Sequence, residues 1–316
     1  MLYPRKYDIV GLGLCCMDYL FVVPRIPAPD EKMFCLDFRR EGGGVVSTAL
    51  VAASRLGSST SFVGTVGDDE NGRLIIEEFE RYGVDIDCLQ VKPNASSTFS
   101  FIMVDQKTAQ RSIVTSPGCY KDVIMEEKEK KLLSSASYLH LDSYVIQVGI
   151  KAAQVARENS VQVSLDVGTL RPGVEDLLPL VDILITSELF ARQLIGKDDP
   201  ERAAKKMLAL GPRIVGITLG DRGCFFLTQQ GAFWRPAYRV EVVDTTGAGD
   251  VFHGAFLHGL LRGWDLERVA DFANAVAALK CTRLGGRGGI PTFSQTMAFL
   301  RKKGEQRLWG DQPELG

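Results

Sequence analysis

The sequence predicts an α/β fold, built as a doubly wound and mostly parallel sheet flanked by helices. Short apolar strands alternate with helical segments along most of the 316 residues. Several helical segments end at a glycine, which is a common helix terminator. The helical segments between the later strands are ten to thirty residues long, as crossovers between parallel strands require. This βαβ rhythm is typical of a doubly wound sheet.

The elements follow in a regular order. "YDIVGLGL" predicts a buried first strand. A helix follows, with Val46, Leu50 and Ala53 on one face and its end at Gly57. "TSFVGTVG" predicts the second strand, and "NGRLIIEEFERYG" predicts a helix that stops at Gly83. Four more strands are predicted at "SYLHLDS", "VQVSLDV", "VDILITS" and "RIVGITLG".

Two segments, about 15–41 and 95–117, contain β patterns and turns without helices. They predict hairpins that project from the α/β body. A small β-sheet lid beside a cleft would exclude water from a reaction, and an antiparallel extension of the main sheet fits the spacing equally well. We expect residues 1–316 to form a single domain, with residues 305–316 as a polar, loosely ordered tail.

Composition excludes several classes of protein. The chain is 45% hydrophobic and 24% charged with a net charge of −2, which argues against nucleic acid as the main partner. No apolar run reaches membrane-spanning length. The seven cysteines follow neither a disulfide framework nor a zinc spacing, so we expect reduced thiols and a cytoplasmic protein.

The run "DTTGAGDVFHGAF" places two glycines and a carboxylate at the start of a predicted helix. Bare backbone at Gly247, Ala248 and Gly249 allows an anion to approach the unpaired N–H groups of the first turn. That helix terminus carries about +0.5 of an elementary charge. Asp250 beside it can accept a proton from a hydroxyl group. A tight turn with a capping aspartate would use the same residues.

Two long signatures resemble those of the ribokinase-like, or PfkB, family of carbohydrate kinases. "DTTGAGDVFHGAF" resembles the C-terminal signature, and "EGGGVVSTALVAASRLGSSTSFVGTVGDDENG" resembles the N-terminal one. The likeness extends from "VGLGLCCMD" to "ALKCTRLGGRGGIP", nearly the whole chain. It implies a ribokinase-like fold and transfer of phosphate from ATP, with Mg²⁺, to a primary hydroxyl of a ketohexose or pentose-like sugar. It assigns Asp250 as the base and the amides of residues 247–249 as the anion hole.

The resemblance also implies a sugar site. The GxxxxD pattern after the first strand gives Asp18 as the aspartate that accepts hydrogen bonds from two sugar hydroxyls. Asp142 ends the strand "YLHLD", where family members often carry an acidic or polar sugar contact and where open α/β sheets bind ligands. Further substrate contacts are expected at Gly42, Gly43, Gly44, Ser47 and Lys32.

The ATP side is marked by "TLGDRGC", which matches the TxGxxG pattern of the family. Its glycines would allow the loop close to the phosphates, although a plain β-turn between two strands would look the same. The expected ATP contacts are Thr218, Gly220, Gly223 and, from the helix that borders the adenine, Asn274.

Many family members bind a monovalent cation beside the anion hole. The matching positions here are Asp244 and Thr246, with backbone carbonyls of Cys281, Leu284 and Gly286. The resemblance therefore implies a potassium site. The sequence leaves open whether K⁺ is needed, because Asp244 could equally close a loop.

Several positions depart from the family pattern. Gly44 and Ser47 replace the lysine and asparagine of ribokinases, which disfavours strict ribokinase activity. Ser187 and Phe190 replace the asparagine and glutamate of the NxxE motif, which is linked to magnesium. The GGG variant is most similar to a subgroup that includes kinases of sulfonated fructose, in which Lys32 would face an anionic substituent.

Two alternative functions lack residues that they would need, and two others stay open. A dinucleotide dehydrogenase would need glycine at Cys16, and a P-loop would need Lys-Ser/Thr at Arg73 and Leu74. A nucleoside kinase on the same fold and a catalytically silent sugar- or nucleotide-binding regulator both stay open. The sheet edges of the predicted lid need covering, which favours a homodimer through the lid.

Overall fold

A computed structural model describes residues 5–303 and residue 309. Its strands are β1 (Tyr7–Leu12), β2 (Cys16–Val23), β3 (Asp37–Gly43), β4 (Thr60–Gly67), β5 (Val84–Lys92), β6 (Phe99–Asp105), β7 (Arg111–Ser116), β8 (Ala136–Asp142), β9 (Gln162–Val167), β10 (Ile183–Ser187), β11 (Ile214–Thr218), β12 (Cys224–Thr228) and β13 (Gly231–Arg235). Its helices are α1 (Val45–Leu56), α2 (Glu70–Arg81), α3 (Glu127–Ser134), α4 (Ile146–Glu158), α5 (Val174–Leu177), α6 (Glu188–Ile195), α7 (Pro200–Leu208), α8 (Ala248–Leu261), α9 (Leu266–Lys280) and α10 (Phe293–Lys303).

The main sheet confirms the predicted doubly wound architecture. Its nine strands lie in the order β13-β12-β11-β10-β9-β8-β1-β4-β5. The strands from β11 to β5 pair in parallel, and β12 and β13 add an antiparallel edge. Apolar cores cover both faces, so neighbouring residues of β1 point to opposite layers. Ile9 belongs to the apolar cluster that includes residues of α1, α8 and α9, whereas Val10 belongs to the one that includes residues of α4 and α7.

The second sheet is separate from the first, which decides between the two predictions for segments 15–41 and 95–117. Its four strands lie in the order β3-β2-β6-β7, so it is not an edge extension of the main sheet. Leu20, Ile102 and Val104 form its buried face, against Leu284 of the loop after α9.

The chain reverses direction across the main sheet at β1, which lies between β8 and β4. Open α/β sheets bind their ligands at such a point, outside the carboxyl ends of the strands. In this fold the carboxyl end of β8 carries Asp142, which is opposite Asp166 of β9. Two acidic side chains are therefore brought together at the predicted crevice.

The predicted tail, 305–316, lies outside the described residues except for Trp309. The Trp309 side chain is buried, and its Nε1 donates a hydrogen bond to Oδ2 of Asp271 at 2.7 Å. Across residues 5–303, no helix combines the length and the apolar character that crossing a bilayer requires. The seven cysteines, all within that range, are unpaired thiols.

Candidate active site

A cleft of about 440 Å³ lies between the carboxyl ends of the main-sheet strands and the four-stranded sheet. It brings together many of the predicted site residues. Those that line it are Asp18, Gly44, Asp142, Thr218, Thr246, Gly247, Ala248, Gly249 and Asp250. Residues more than 200 positions apart in the sequence thus share one cavity.

The glycine-rich turn forms an open helix terminus. Gly247 precedes α8 with φ of +73°, in the left-handed region that favours glycine. The Ala248 N–H bonds to the Thr245 carbonyl at 3.2 Å, and the helical ladder begins with the Val251 N–H. Among the described residues, the N–H groups of Gly249 and Asp250 have no hydrogen-bond partner. Unpaired amides that face a cleft are what an anion hole requires.

Asp250 is partly exposed and lines this cleft. Burial raises the pKa of Asp250 well above its ordinary value, and the nearby Asp166 carboxylate raises it further, whereas Arg111 opposes the shift. A raised pKa gives the carboxylate a greater affinity for a proton than a free aspartate has. This suits a group that removes a proton from an alcohol.

Asp18 is buried beside the glycine wall, which is formed by Gly43 and Gly44. A Cβ atom on Gly43 would lie 1.9 Å from Oδ2 of Asp18, so only glycine allows the strand this close. The Cys16 thiol donates to Oδ1 of Asp18 at 3.2 Å, and burial raises the pKa of the Asp18 carboxyl. Gly44 is the residue immediately before helix α1, and it lines the same cleft. This arrangement leaves a carboxylate facing the cavity.

Asp142 fixes the loop that leads into β2, the strand that carries Asp18. Its Oδ2 accepts from the Leu14 N–H at 2.7 Å, and its Oδ1 accepts from the Tyr144 N–H at 2.8 Å. Burial raises the pKa of Asp142 to about 6. The carboxyl still lines the cleft, so it shapes the wall and is available to a ligand.

The chain matches the model of the pfkB family carbohydrate kinases over residues 6–292. It belongs to the pfkB family. The ribokinase of Haemophilus influenzae is 29% identical over 93% of this chain and 99% of its own length. The ATP-dependent ribose-1-phosphate kinase of Halopiger xanaduensis is also 29% identical, over 93% of this chain and 98% of its own.

Solved structures agree with this assignment. The Arabidopsis thaliana ribokinase complexed with ribose and ATP superposes with a TM-score of 0.84 and 26% identity, over 93% of this chain and 99% of its own. The Thermotoga maritima ribokinase gives 0.79 and 28%, over 93% and 99%. The chain is therefore an ATP-dependent sugar kinase. The comparisons do not single out the sulfonated-fructose subgroup, and that narrower resemblance stays a prediction.

The predicted ATP residues are only partly assembled in the kinase cleft. Thr218 ends β11 and lines the cleft. Gly220 begins a short 3₁₀ turn directly after it, and Gly223 packs under the backbone of Arg235. Asn274 is buried, and its amide donates to the carbonyl of Pro236 at 3.1 Å. Its side chain holds a loop in place and does not line the cleft.

Three predicted substrate residues are also not brought into the cleft. The Ser47 hydroxyl is buried and bonds back to the carbonyls of Gly43 and Gly44 in its own helix terminus. Lys32 is exposed on the connection between β2 and β3, and it is not among the residues that line the cavity. Gly42 lies behind the wall, where its N–H donates to Glu78 at 3.0 Å.

The altered NxxE segment does not supply a metal ligand at the predicted positions. Ser187 lines the cleft, but its Oγ caps α6 by accepting from the Phe190 N–H at 3.2 Å. The Phe190 side chain is fully buried. Glu188 pairs with Arg222 at 2.6 Å. Ser187 therefore caps a helix and Phe190 packs in the core. Any carboxylate for Mg²⁺ must come from elsewhere in the kinase.

Asp166 is the acidic residue that fits Mg²⁺. It lines the cleft with Asp250, and its Oδ2 pairs with Nε2 of His253 at 3.1 Å, which orients the carboxylate. Within the described residues, no cluster of three or more His, Cys, Asp or Glu side chains could hold a metal. Mg²⁺ is commonly bound by one or two carboxylates together with substrate phosphates and water. Asp166 would hold the ion that neutralises phosphate charge when ATP is bound.

The predicted potassium ligands are bonded to protein groups instead. The Cys281 carbonyl accepts from the N–H groups of Val243 and Asp244, at 2.8 and 3.2 Å. The Asp244 carbonyl accepts from the ammonium group of Lys280 at 2.9 Å. Thr246 donates from its N–H and its hydroxyl to the Asp244 carboxylate. Asp244, Thr246 and Cys281 thus each have hydrogen-bond partners within the protein.

The remaining two positions predicted for that site lie in the loop after α9. Leu284 is buried under the four-stranded sheet. The Gly286 backbone lies against Gly247, because a Cβ on Gly247 would be 3.0 Å from the Gly286 Cα. Gly286 therefore supports the anion hole through packing, whereas Leu284 supports the four-stranded sheet.

Three cleft residues were missed by sequence reasoning. Asp166 ends a predicted strand, "VQVSLDV", in the same way as Asp142, and this parallel could have revealed it. Arg111 donates to Oγ1 of Thr245 at 2.7 Å, and Arg171 stacks on the Tyr144 ring at 3.9 Å. Neither arginine lies in a recognisable motif, so only the fold places them in the cleft.

The acidic side of the pH profile tests the environment of Asp250. Because a base must be deprotonated, we expect kcat/KM for the sugar to be high above the raised pKa and to fall as pH drops through it. This pKa should exceed the ordinary aspartate value of about 3.9. Asp166→Asn removes the largest charge effect, so the acid limb should move to lower pH. An unmoved limb, or one shifted to higher pH, would contradict the assignment; the exposed Asp176→Asn serves as the control.

Proposed function

We propose that this kinase transfers the γ-phosphate of ATP to a primary hydroxyl of a pentose-like or ketohexose sugar. The observation that carries the proposal is the position of Asp250 at the open terminus of α8, in the same cleft as Asp18. A proton acceptor, an anion hole and a hydroxyl-binding carboxylate are the three groups that such a transfer needs. The bound ribose and ATP of the Arabidopsis thaliana relative support this choice.

Each group has a separate task. Asp18 accepts hydrogen bonds from sugar hydroxyls and fixes the sugar in the cleft. Asp250 removes the proton from the attacking hydroxyl, whose oxygen then forms a bond to the γ-phosphorus while the bond to the β-phosphate oxygen breaks. The N–H groups of Gly249 and Asp250 stabilise the negative charge on the transferring phosphoryl group. ADP and the sugar phosphate leave the cleft.

Two arginines favour a sugar that carries an anionic substituent. Arg111 and Arg171 both line the cleft, and among the described residues neither forms an ion pair with a carboxylate. Arginine binds phosphate and carboxylate groups through two parallel N–H donors. The Halopiger xanaduensis relative acts, by its name, on ribose 1-phosphate. An acidic or phosphorylated sugar would use this pair.

An ADP-release screen tests the proposed activity. The screen covers pentoses, ketohexoses, deoxy-keto acids and nucleosides, with anionic derivatives of each and Mg²⁺-ATP as donor. We expect sugar-dependent ADP release, with the anionic member of a matched pair preferred. Preference for a nucleoside would replace the sugar by the alternative substrate class. Absence of ADP release above the background without sugar would favour a binding regulator and overturn the proposal.

We propose that the whole chain works as one kinase unit, with the four-stranded sheet as its lid. Arg111 of β7 donates a hydrogen bond of 2.7 Å to Thr245, which lies beside the anion hole. This bond links the lid to the segment that leads to Asp250. Closure over a bound sugar would exclude water that could otherwise accept the phosphoryl group. The unpaired thiols are in keeping with a cytoplasmic location.

The outer face of the lid supports a homodimer. Tyr19, Phe21, Phe38 and Phe101 form a continuous aromatic cluster, with ring centroids 5.0 Å apart for Phe21 and Phe38. Phe38 is 47% exposed, and Val114, which pairs with Phe101 and lies on the opposite edge of the sheet, is 67% exposed. An exposed apolar sheet face of this kind is typical of a protein–protein interface. We propose that a second copy of the chain covers it.

Light scattering at micromolar concentration tests the dimer. We expect the mass of a dimer for the wild type and a shift toward monomer for Phe101→Asp, because a buried unpaired carboxylate is costly in an interface. Ile124→Asp, which changes an exposed apolar residue outside the lid, should leave the mass unchanged. A wild type that is monomeric throughout the concentration range would remove the proposal.

A further inference from the structure

Lys280 is an unusual residue at the end of α9, because its whole side chain is buried. Its exposed fraction is 0%, and its Nζ lies 2.9 Å from the carbonyl oxygen of Asp244. Burial of an ammonium group is costly unless it is paired, and lysine is among the residues least often fully buried. The contact therefore needs a reason beyond the packing of an aliphatic chain.

Burial lowers the pKa of Lys280, and the negative charges of nearby carboxylates oppose that shift. The Asp244 carboxylate is fully buried, and its charge and that of Glu41 both act on the ammonium group. Asp244 Oδ2 also accepts from the Gly285 N–H at 2.8 Å, and Glu41 Oε1 accepts from the Arg287 N–H at 3.1 Å. The Lys280 ammonium group thus lies close to the buried Asp244 carboxylate, and the Glu41 carboxylate also acts on it.

The position of this cation matters for the kinase. Asp244 and Thr246, together with backbone carbonyls of Cys281, Leu284 and Gly286, are the positions that the family resemblance implies for a potassium ion. Here the Asp244 carbonyl already has a cationic partner, and the Cys281 carbonyl is bonded to two backbone N–H groups. An ammonium group is a compact positive charge with three donors, so it can replace a monovalent cation where carbonyl oxygens converge.

We propose that the ammonium group of Lys280 is a built-in monovalent cation, and that this kinase consequently works without potassium. Lys280 is a positioning residue. It holds the Asp244 carbonyl, and through Asp244 it holds Thr246, whose N–H and hydroxyl donate to the Asp244 carboxylate at 2.8 and 2.7 Å. Thr246 leads directly into the turn at Gly247, so the lysine fixes the amides of the anion hole.

The wild-type enzyme provides the first test. Activity and melting temperature are measured in KCl and in tetramethylammonium chloride at equal ionic strength, so that general screening is constant. We expect both quantities to be the same in the two salts. Activation by K⁺ of about tenfold or more, or a rise in melting temperature specific to K⁺, would overturn the proposal, because a ligand stabilises the folded state only where it binds.

Lys280→Ala provides the second test, because it removes the charge and opens space. Loss of a hydrogen bond to a charged group should lower activity about 10- to 100-fold in tetramethylammonium chloride. K⁺, NH₄⁺ or methylammonium should restore activity and raise the melting temperature of this variant. Lys280→Met, which removes the charge and fills the space, should lose activity without recovery. Lys151→Met, on the exposed face of α4, is the matched control.

The outcomes separate a positioning cation from a structural lysine. A folded Lys280→Ala enzyme that is fully active without added cation, or one that is inactive and responds to none of the three ions, would overturn the proposal. If that variant does not fold, the wild-type salt comparison and Lys280→Met decide. The melting-temperature measurements need no substrate, so their result is independent of whether the proposed sugar is correct.

Discussion

Asp250→Asn is expected to lower kcat by about 10²- to 10⁴-fold, the range contributed by a positioned general base. The amide has the size of the carboxyl group but cannot accept the hydroxyl proton. Because the amides of α8 and the carboxylate of Asp18 are unchanged, sugar and nucleotide affinity should stay close to the wild-type values. Steady-state kinetics together with calorimetric titration of ADP and sugar separate the two effects.

The control for this variant is Asp176→Asn, the same chemical change on an exposed helical residue. It should retain wild-type kcat. Near-normal turnover in Asp250→Asn would show that another group removes the proton. A loss of nucleotide or sugar binding as large as the loss of kcat would instead show that Asp250 acts in binding.

Asp18→Ala should have the second largest effect, on the sugar rather than on ATP. Each hydrogen bond to a charged group contributes about 1.5–3 kcal/mol, so the loss of two should raise KM for the sugar by about 10²- to 10⁴-fold. KM for ATP should change little, because Asp18 lies on the lid side of the cleft. Initial rates with each substrate varied in turn provide the measurement.

Asp37→Ala is the matched control for Asp18→Ala. It removes a carboxylate from the same four-stranded sheet, at the exposed first residue of β3, four residues before the position that pairs with Asp18. An equal rise in KM for ATP and sugar in Asp18→Ala would indicate a collapsed lid rather than a lost contact. Unchanged KM for the sugar would contradict the assignment of Asp18.

The sequence-based prediction works best where function is written in short linear motifs at strand ends. Asp142 ends an apolar strand, and Asp250 follows the turn at Gly247. These two positions place both side chains in the cleft. The parallel sheet brings such ends to one edge, so chain order and spacing are enough to predict them. The smaller sheet could be predicted as a β segment, but its separation from the main sheet depends on tertiary pairing.

The prediction fails where a polar side chain has a local partner that the sequence does not reveal. The Ser47 hydroxyl is taken by carbonyls of its own helix terminus, and the Asn274 amide by a neighbouring loop. A motif match assigns both residues to ligands. Their hydrogen-bond capacity is used inside the fold, so neither faces the cleft.

The opposite failure occurs for residues that the fold recruits from outside the motifs. Arg111 and Arg171 enter the cleft from the lid and from the loop after β9. Lys280 reaches Asp244 across 36 positions of the chain. The two arginines are far from the signatures in sequence, and Lys280, although it lies within the similar segment "ALKCTRLGGRGGIP", makes a contact that no motif describes. Long-range placement of this kind is not contained in motif spacing.

The most direct test of the account is a crystal structure with ADP, aluminium fluoride, Mg²⁺ and the sugar that the ADP-release screen identifies. Aluminium fluoride takes the place of the transferring phosphoryl group. We expect it at the terminus of α8, about 3 Å from the N–H groups of Gly249 and Asp250, with the attacking hydroxyl between it and the Asp250 carboxylate. Aluminium fluoride bound elsewhere in the cleft, or a sugar hydroxyl directed away from Asp250, would contradict the central claim.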